Sequence, residues 1–235
     1  VKYGHWMDNI ICIKGKAVWS YLVMFLTNWN ALRHEDEDYT VFKSENIEDE
    51  TLYDGYIAPY AETPLDEELT GQSVYEDLLN SANNYVYIMT PYLIIDSEMI
   101  NTLIHTAKKG VDVRIIMPGI ADKQIVHDMG RTYYAQLIQG GVKIYEYEPG
   151  FVHSKVFVCD DTYATVGTIN LDYRSLFLHF ECGTFIYNNP IVHDVEADFQ
   201  KTLTQCERVS IADVKKISPF MFVCGRVLRL IAPLM

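Results

Sequence analysis

At 235 residues, nearly half of them hydrophobic, the chain is long enough for one large domain or two small ones with a substantial core. Acidic residues outnumber basic ones 32 to 19, and the formal charge of −13 argues against broad electrostatic binding to nucleic acid or to an anionic bilayer, local basic patches aside. Five cysteines (Cys12, Cys159, Cys182, Cys206 and Cys224) are odd in number, widely spaced and without a C-x-x-C pair. They read as reduced core residues of a cytosolic setting, with neither disulfides nor structural zinc expected.

The chain opens without a methionine and carries no secretory signal and no apolar run of bilayer length, which reads as a piece of a longer protein. Residues 10–13 form a short apolar run that predicts a strand, and Gly15 and Lys16 break it. Residues 17–30 then place Val18, Tyr21, Leu22, Phe25 and Trp29 at helical spacing. From His34 to about Glu68, Glu35, Asp36, Glu37, Asp38, Glu45, Glu48, Asp49 and Glu50 cluster without periodicity, as in a linker or surface excursion. No calcium-loop spacing occurs there, and no metal is assigned.

From Ser73 the pattern turns to alternating helix and strand. Helices are predicted over 74–82, 96–109 and 122–139, and strands over 85–89, 111–117 and 142–147, with Gly110, Pro118-Gly119 and Gly140-Gly141 as stops. Such alternation predicts an α/β fold, a largely parallel or mixed sheet covered by helices on both faces. Residues 184–187 then suit a strand, 188–190 a turn, and 191–206 a helix. This repeats the strand, turn and helix order of residues 10–30, which makes Asp8 the counterpart of Glu181 and Phe25 that of Phe199. The tail, 220–235, mixes apolar residues with Arg226 and Arg229 and suits either a membrane interface or a terminal core helix.

The stretch from Glu148 to Glu181 carries most of the chemistry. His153 and Lys155 stand as H-x-K, followed by four residues and Asp160. Two residues apart on a strand they share a face, and Asp160-Asp161-Thr162 reads as the turn of the hairpin. Gly167 permits a close backbone approach to a ligand, and the amide of Asn170 can hydrogen-bond an oxygen. An imidazole, an ammonium and an amide donor gathered at strand ends suit a phosphoryl group.

This ordered set resembles the HKD signature of the phospholipase D superfamily. Gly150-Phe-Val-His-Ser-Lys-Val156, Val166-Gly-Thr-Ile-Asn-Leu-Asp-Tyr-Arg-Ser175 and Phe180-Glu181 look like the second HKD motif of bacterial cardiolipin synthases. Thr90-Pro-Tyr92, Gly110–Gly119 and Gly141–Tyr147 are similar to the corresponding segments of those enzymes. Trp6-Met-Asp8 and Gly15–Val18 are similar to the segment located after their first motif. The resemblance implies a phospholipase D-like fold. It divides the chain into the closing segment of a first half (1–33), an acidic linker (34–72), a second half with the motif (73–218) and an apolar tail (219–235). Of seven histidines only His153 begins an H-x-K, so the second imidazole such enzymes use is expected in a missing N-terminal half or a second copy of the chain.

The implied activity is transfer of a phosphatidyl group between two phosphatidylglycerol molecules through a phosphohistidine, giving cardiolipin and glycerol at the cytoplasmic side of a cell membrane. The resemblance implies catalytic roles for His153, Lys155, Asp160, Asn170 and Glu181. Lys155 and Asn170 hold the non-bridging oxygens, Glu181 or Asp160 orients the imidazole, and His153 is either nucleophile or acid. Neither cofactor nor metal is expected, nor nucleic acid as a partner. A homodimeric phosphodiesterase or nuclease of the same superfamily, or a non-catalytic lipid-binding half, are the competing expectations.

Overall fold

The computed structural model describes residues 2–33, 38–43 and 55–214, together with Val227 and Arg229. In chain order it opens with strand β1 (His5–Met7), helix α1 (Ala17–Arg33) and a single 3-10 turn over Tyr39–Phe42. Next come β2 (Tyr56–Glu62), α2 (Thr70–Ser81), β3 (Tyr85–Met89), β4 (Leu93–Ile94) and α3 (Ser97–Lys108). β5 (Asp112–Pro118), α4 (Gln124–Gln139), β6 (Lys143–Tyr147) and β7 (Gly150–Val152) lead into the hairpin β8 (Val156–Cys159) and β9 (Tyr163–Gly167). The chain closes with β10 (Leu171–Asp172), α5 (Tyr173–Phe177), β11 (Glu181–Tyr187), α6 (Ile191–Leu203), β12 (Cys206–Arg208) and α7 (Ile211–Val214).

Eight strands form one mixed sheet in the order β12-β6-β5-β3-β8-β9-β11-β2. β3, β5 and β6 are parallel, as their helical crossovers require, and the remaining neighbours are antiparallel. β3 is buried on both sides. Val86 and Ile88 enter the core under α2, α3 and α4, while Tyr87 and Met89 enter a second core under α6. On the first face Met99, Ile100 and Leu103 of α3 are buried at helical spacing, and Asp96 caps that helix by accepting from Met99 N at 2.8 Å. On the second, Phe199 of α6 stacks on Tyr87 with ring centroids 4.7 Å apart. Fully burying such a side chain is worth about 1.5–3 kcal/mol.

Three expectations need correction. Residues 10–13 are not a strand; the strand lies earlier, at His5–Met7, paired in parallel with β7. Burial alternates through residues 9–14, as periodicity predicts, but no strand lies beside them to complete a ladder. Within the stretch read as linker, Tyr56–Glu62 forms the sheet's edge strand against β11, a position where Pro59 is tolerated because its missing N–H faces no partner. The last long helix ends at Leu203, because Cys206–Arg208 turns back along β6 as a further edge strand. The apolar tail lies outside the described residues except at two positions. Of these, Arg229 packs its guanidinium over Tyr133 of α4 at 3.5 Å, and Val227 is exposed.

Candidate active site

His153 comes directly after β7, and its backbone N–H donates to Met7 O at 2.7 Å, so it is held by the strand pair that joins the chain's first residues to the motif. That pairing requires Gly150: a Cβ there would lie 2.2 Å from His5 O, closer than any real contact. β1 thereby delivers the next residue, Asp8, whose Oδ2 lies 2.8 Å from His153 Nδ1. With Nδ1 donating its proton to this carboxylate, the lone pair of Nε2 is left for substrate. Trp6, from the same strand, packs its ring against His153 and Phe151 at centroid distances of 5.2 and 4.6 Å.

Lys155 is 8% exposed, and its ammonium donates to the carbonyl of His153. Burial lowers its pKa to about 8, although Asp8, Glu181 and Asp172 each oppose that shift. The ammonium is therefore largely removed from water, and with His153 O taking one donor, its other N–H groups can serve an oxygen ligand beside it.

Asn170 is placed by the loop between β9 and β10. Tyr75 donates to Ile169 O at 2.6 Å, and Leu171 N donates to Thr90 Oγ1 at 3.2 Å. Its Oδ1 is buried without a hydrogen-bond partner. Gly167 does permit a close approach, but to β11 rather than to a ligand, since a Cβ would meet Cys182 O at 2.4 Å. Glu181, at the start of β11, accepts from Ser175 Oγ at 3.0 Å, and its Oε1 lies 3.7 Å from His179 Nδ1.

Two expectations about orienting the imidazole meet a different arrangement: the carboxylate on His153 is Asp8, not Glu181 or Asp160. Asp160 lies beyond the far end of the four-residue strand β8, where its carboxylate accepts from the backbone N–H groups of Asn83, Asn84 and Tyr85 at 2.7, 3.0 and 2.7 Å. With φ of 49° it also forms the hairpin turn with Asp161, at φ 53°. It ties the turn to the start of β3 and does not meet His153. The expected repeat pairs Asp8 with Glu181 without revealing that Asp8 meets His153, because sequence spacing carries no information on a contact between residues so far apart. The other described histidines bond differently. His5 meets Tyr147 Oη at 2.9 Å, His127 meets Pro118 O at 3.1 Å, and His179 meets Arg174 at 3.0 Å.

Against known families, residues 75–203 match the model described as "Cardiolipin synthase, PLD-like domain". A cardiolipin synthase of Clostridium perfringens is 34% identical over 99% of this chain and 49% of its own length. An uncharacterized protein of Streptococcus mutans is 46% identical over 100% of this chain and 50% of its length. Among solved structures, the phosphatidylserine synthase of Haemophilus influenzae superposes with a TM-score of 0.61 at 16% identity, covering 77% of this chain and 48% of that one. The chain thus spans about half the length of the curated relatives it matches. Sequence and fold together assign it to the cardiolipin synthase family, with a phospholipase D-like domain.

Proposed function

We propose that this chain is the half of a cardiolipin synthase that carries one of two catalytic imidazoles, and that it transfers a phosphatidyl group from one phosphatidylglycerol to another. The observation that carries this is the His153–Asp8 bond beside a buried Lys155. Nε2 of one imidazole attacks phosphorus, an N–P bond forms, and the P–O bond to glycerol breaks as the second imidazole protonates the leaving oxygen. A hydroxyl of the second phosphatidylglycerol then attacks phosphorus, gives its proton to that second imidazole, and releases the first as cardiolipin forms. Lys155 and the amide of Asn170 stabilise the charge that gathers on the non-bridging oxygens.

The second imidazole comes from a partner half or a second copy of the chain, because only His153 lies in an H-x-K. Asp8 serves His153, so by the repeat Glu181 serves that other imidazole. Work of this kind takes place at a membrane surface, and no helix among the described residues is long and apolar enough to cross one.

The test is cardiolipin formation by the complete protein. His153→Ala is expected to abolish it, whereas His127→Ala and His193→Ala leave it near wild type. Near wild-type synthesis by His153→Ala sinks the assignment.

A further inference from the structure

Where β4 and β10 meet the first turns of α4 and α5 there is a cavity of about 240 Å³, smaller than the ~300–1,000 Å³ that holds a whole drug-sized ligand and of a size for a headgroup. Its floor is apolar, because Ile94 of β4, Val126 of α4 and Tyr173 of α5 pack there around Met129. The rest of its lining is Tyr92, Asp172 and two cations, Lys123 and Arg174.

Both cations are exposed, and neither is paired with a carboxylate although the chain carries a formal charge of −13. Among the described residues the ion pairs of lysine and arginine belong to Arg114, Arg131 and Lys143. Lys123 Nζ stands over the Tyr92 ring at 5.8 Å. Arg174 donates from Nε and Nη2 to His179 Nε2 at 3.2 and 3.0 Å, which leaves three of its five N–H groups. Asp122 beside them is occupied, since it accepts from Tyr92 Oη at 2.6 Å and from Lys123 N at 2.7 Å. Two unpaired cations from different elements on one small cavity suit an anion whose oxygens they share.

Side-chain contacts join this cavity to the phosphoryl site. The Tyr92 ring lies 6.2 Å from that of Phe151, which lies 6.1 Å from the imidazole of His153. Thr90 Oγ1 donates to Tyr92 O at 2.9 Å and accepts from Leu171 N at 3.2 Å, so the loop of Asn170 and the wall of the cavity share one hydroxyl. Asp172 belongs to both places: it lines the cavity, and its charge acts on Lys155. Its Oδ1 accepts from Ser175 N at 2.9 Å, and Oδ2 is left for a ligand hydroxyl. Arg174 is tied to the same site through His179, whose Nδ1 is 3.7 Å from Glu181 Oε1.

The two half-reactions of phosphatidyl transfer differ at one point. The group that leaves the donor is neutral glycerol, whereas the acceptor brings the same glycerol with a phosphodiester on its far hydroxyl. A cation site beyond the glycerol therefore recognises the acceptor alone and sets it above water and glycerol as the attacking alcohol. Resting on the function proposed above, we propose that this cavity takes the phosphodiester of the acceptor phosphatidylglycerol, with Lys123 and Arg174 on its non-bridging oxygens and Asp172 Oδ2 accepting from the glycerol between the two phosphorus atoms.

The test uses the complete protein with dihexanoyl phosphatidylglycerol, below its aggregation concentration, as donor. Labelled glycerol and labelled glycerophosphoglycerol compete as acyl-free acceptors, and incorporation of each into lipid is measured. The wild type is expected to use glycerophosphoglycerol better than glycerol by about tenfold or more at equal concentration, the effect of one charged hydrogen bond. Lys123→Met lowers glycerophosphoglycerol incorporation and brings the ratio to about one, and Lys123→Arg restores the preference; Lys123 is exposed, so neither change disturbs the fold. Lys108→Met, exposed at the end of α3, leaves the ratio unchanged. Equal use of the two acceptors by the wild type, or a preference that survives both Lys123→Met and Arg174→Met, overturns the proposal. So does a preference for dihexanoyl phosphatidylglycerol over glycerol that glycerophosphoglycerol does not share, which assigns the recognition to acyl chains. Continued glycerol incorporation in those cases leaves phosphatidyl transfer standing and removes the cavity alone. A wild type that incorporates neither acceptor removes the transfer reaction and the proposal with it.

Discussion

The bond from His153 Nδ1 to Asp8 Oδ2 joins residues 145 apart, and it leaves Nε2 as the imidazole nitrogen that the proposed reaction would use. Asp8→Asn keeps the shape but offers an amide that can present its N–H to Nδ1 and stabilise the wrong tautomer. We expect turnover to fall by a factor on the order of a hundred or more, as when an orienting carboxylate is neutralised in a catalytic triad, with the melting temperature little changed. Full activity in Asp8→Asn removes the carboxylate from the mechanism. Lys155 gives a second measurement. In the proposed reaction its ammonium binds the phosphoryl oxygens, and it is lost as pH rises through about 8, so turnover should decline on the alkaline side from that point. Stability moves the other way. The unfolded lysine titrates near 10.5, so between about 8 and 10.5 the unfolded chain holds the extra proton, and stability contributed by this group rises with pH. Lys155→Met should remove both trends, and an alkaline limb that persists in that variant assigns the titration to another group.

Among the elements, the parallel contact of β1 with β7, three residues per strand, is the one that brings Asp8 and Trp6 to His153. Gly150→Ala places a methyl against the backbone of His5, forces the strands apart and withdraws Asp8 and Trp6 from His153. The expected result is a large loss of turnover with the main sheet intact, read as retained far-ultraviolet dichroism beside lost cardiolipin synthesis. Asp160→Ala should act in the opposite sense. Three backbone N–H groups lose their acceptor, at a cost of about 1–3 kcal/mol each if left unsatisfied and less where water reaches them, while turnover per folded molecule stays within about threefold of wild type. A specific activity that collapses in folded Asp160→Ala returns this residue to the site. The same contrast shows what the sequence conveyed. The α/β alternation from Ser73 and the strands expected over 85–89 and 142–147 were legible because a hydrophobic period is a local property. H-x-K was legible because its members are two residues apart. β1, β4, β7 and β10 were not, since strands of two or three residues show no period and exist only through their partners. Asp8's role was hidden for the same reason: a carboxylate brought in by a distant strand leaves no trace in the spacing of the motif it serves.

At the scale of the whole molecule, α1 and α6 are related by position in the proposed repeat but differ in what covers them. Phe199 of α6 is fully buried against its own sheet, whereas its counterpart Phe25 is 58% exposed, and Val18, Trp29 and Leu32 of α1 are exposed with it. Tyr21 of α1 donates to Gly183 O of β11 and Leu26 is buried, while Trp19, Leu22, Val23 and Met24 are half-buried, so the exposed apolar side chains are confined to one side of the helix. On the function proposed above, these exposed side chains face the partner half, and the chain spans about half the length of the matched relatives. Two consequences can be measured on one purified sample of the chain. It should fold cooperatively, because the eight-stranded sheet is covered on both faces by its own helices. It should release essentially no glycerol from phosphatidylglycerol as a monomer, because one imidazole cannot attack phosphorus and also protonate a leaving oxygen on the opposite side. A two-fold dimer would bring a second His153, but on the proposed function it must do so through a surface that faces a related, non-identical half. Sedimentation and glycerol release recorded across the same concentration series separate the cases. Turnover proportional to dimer assigns the second imidazole to another copy of the chain, while full turnover from a monomer refutes the requirement for a second imidazole altogether.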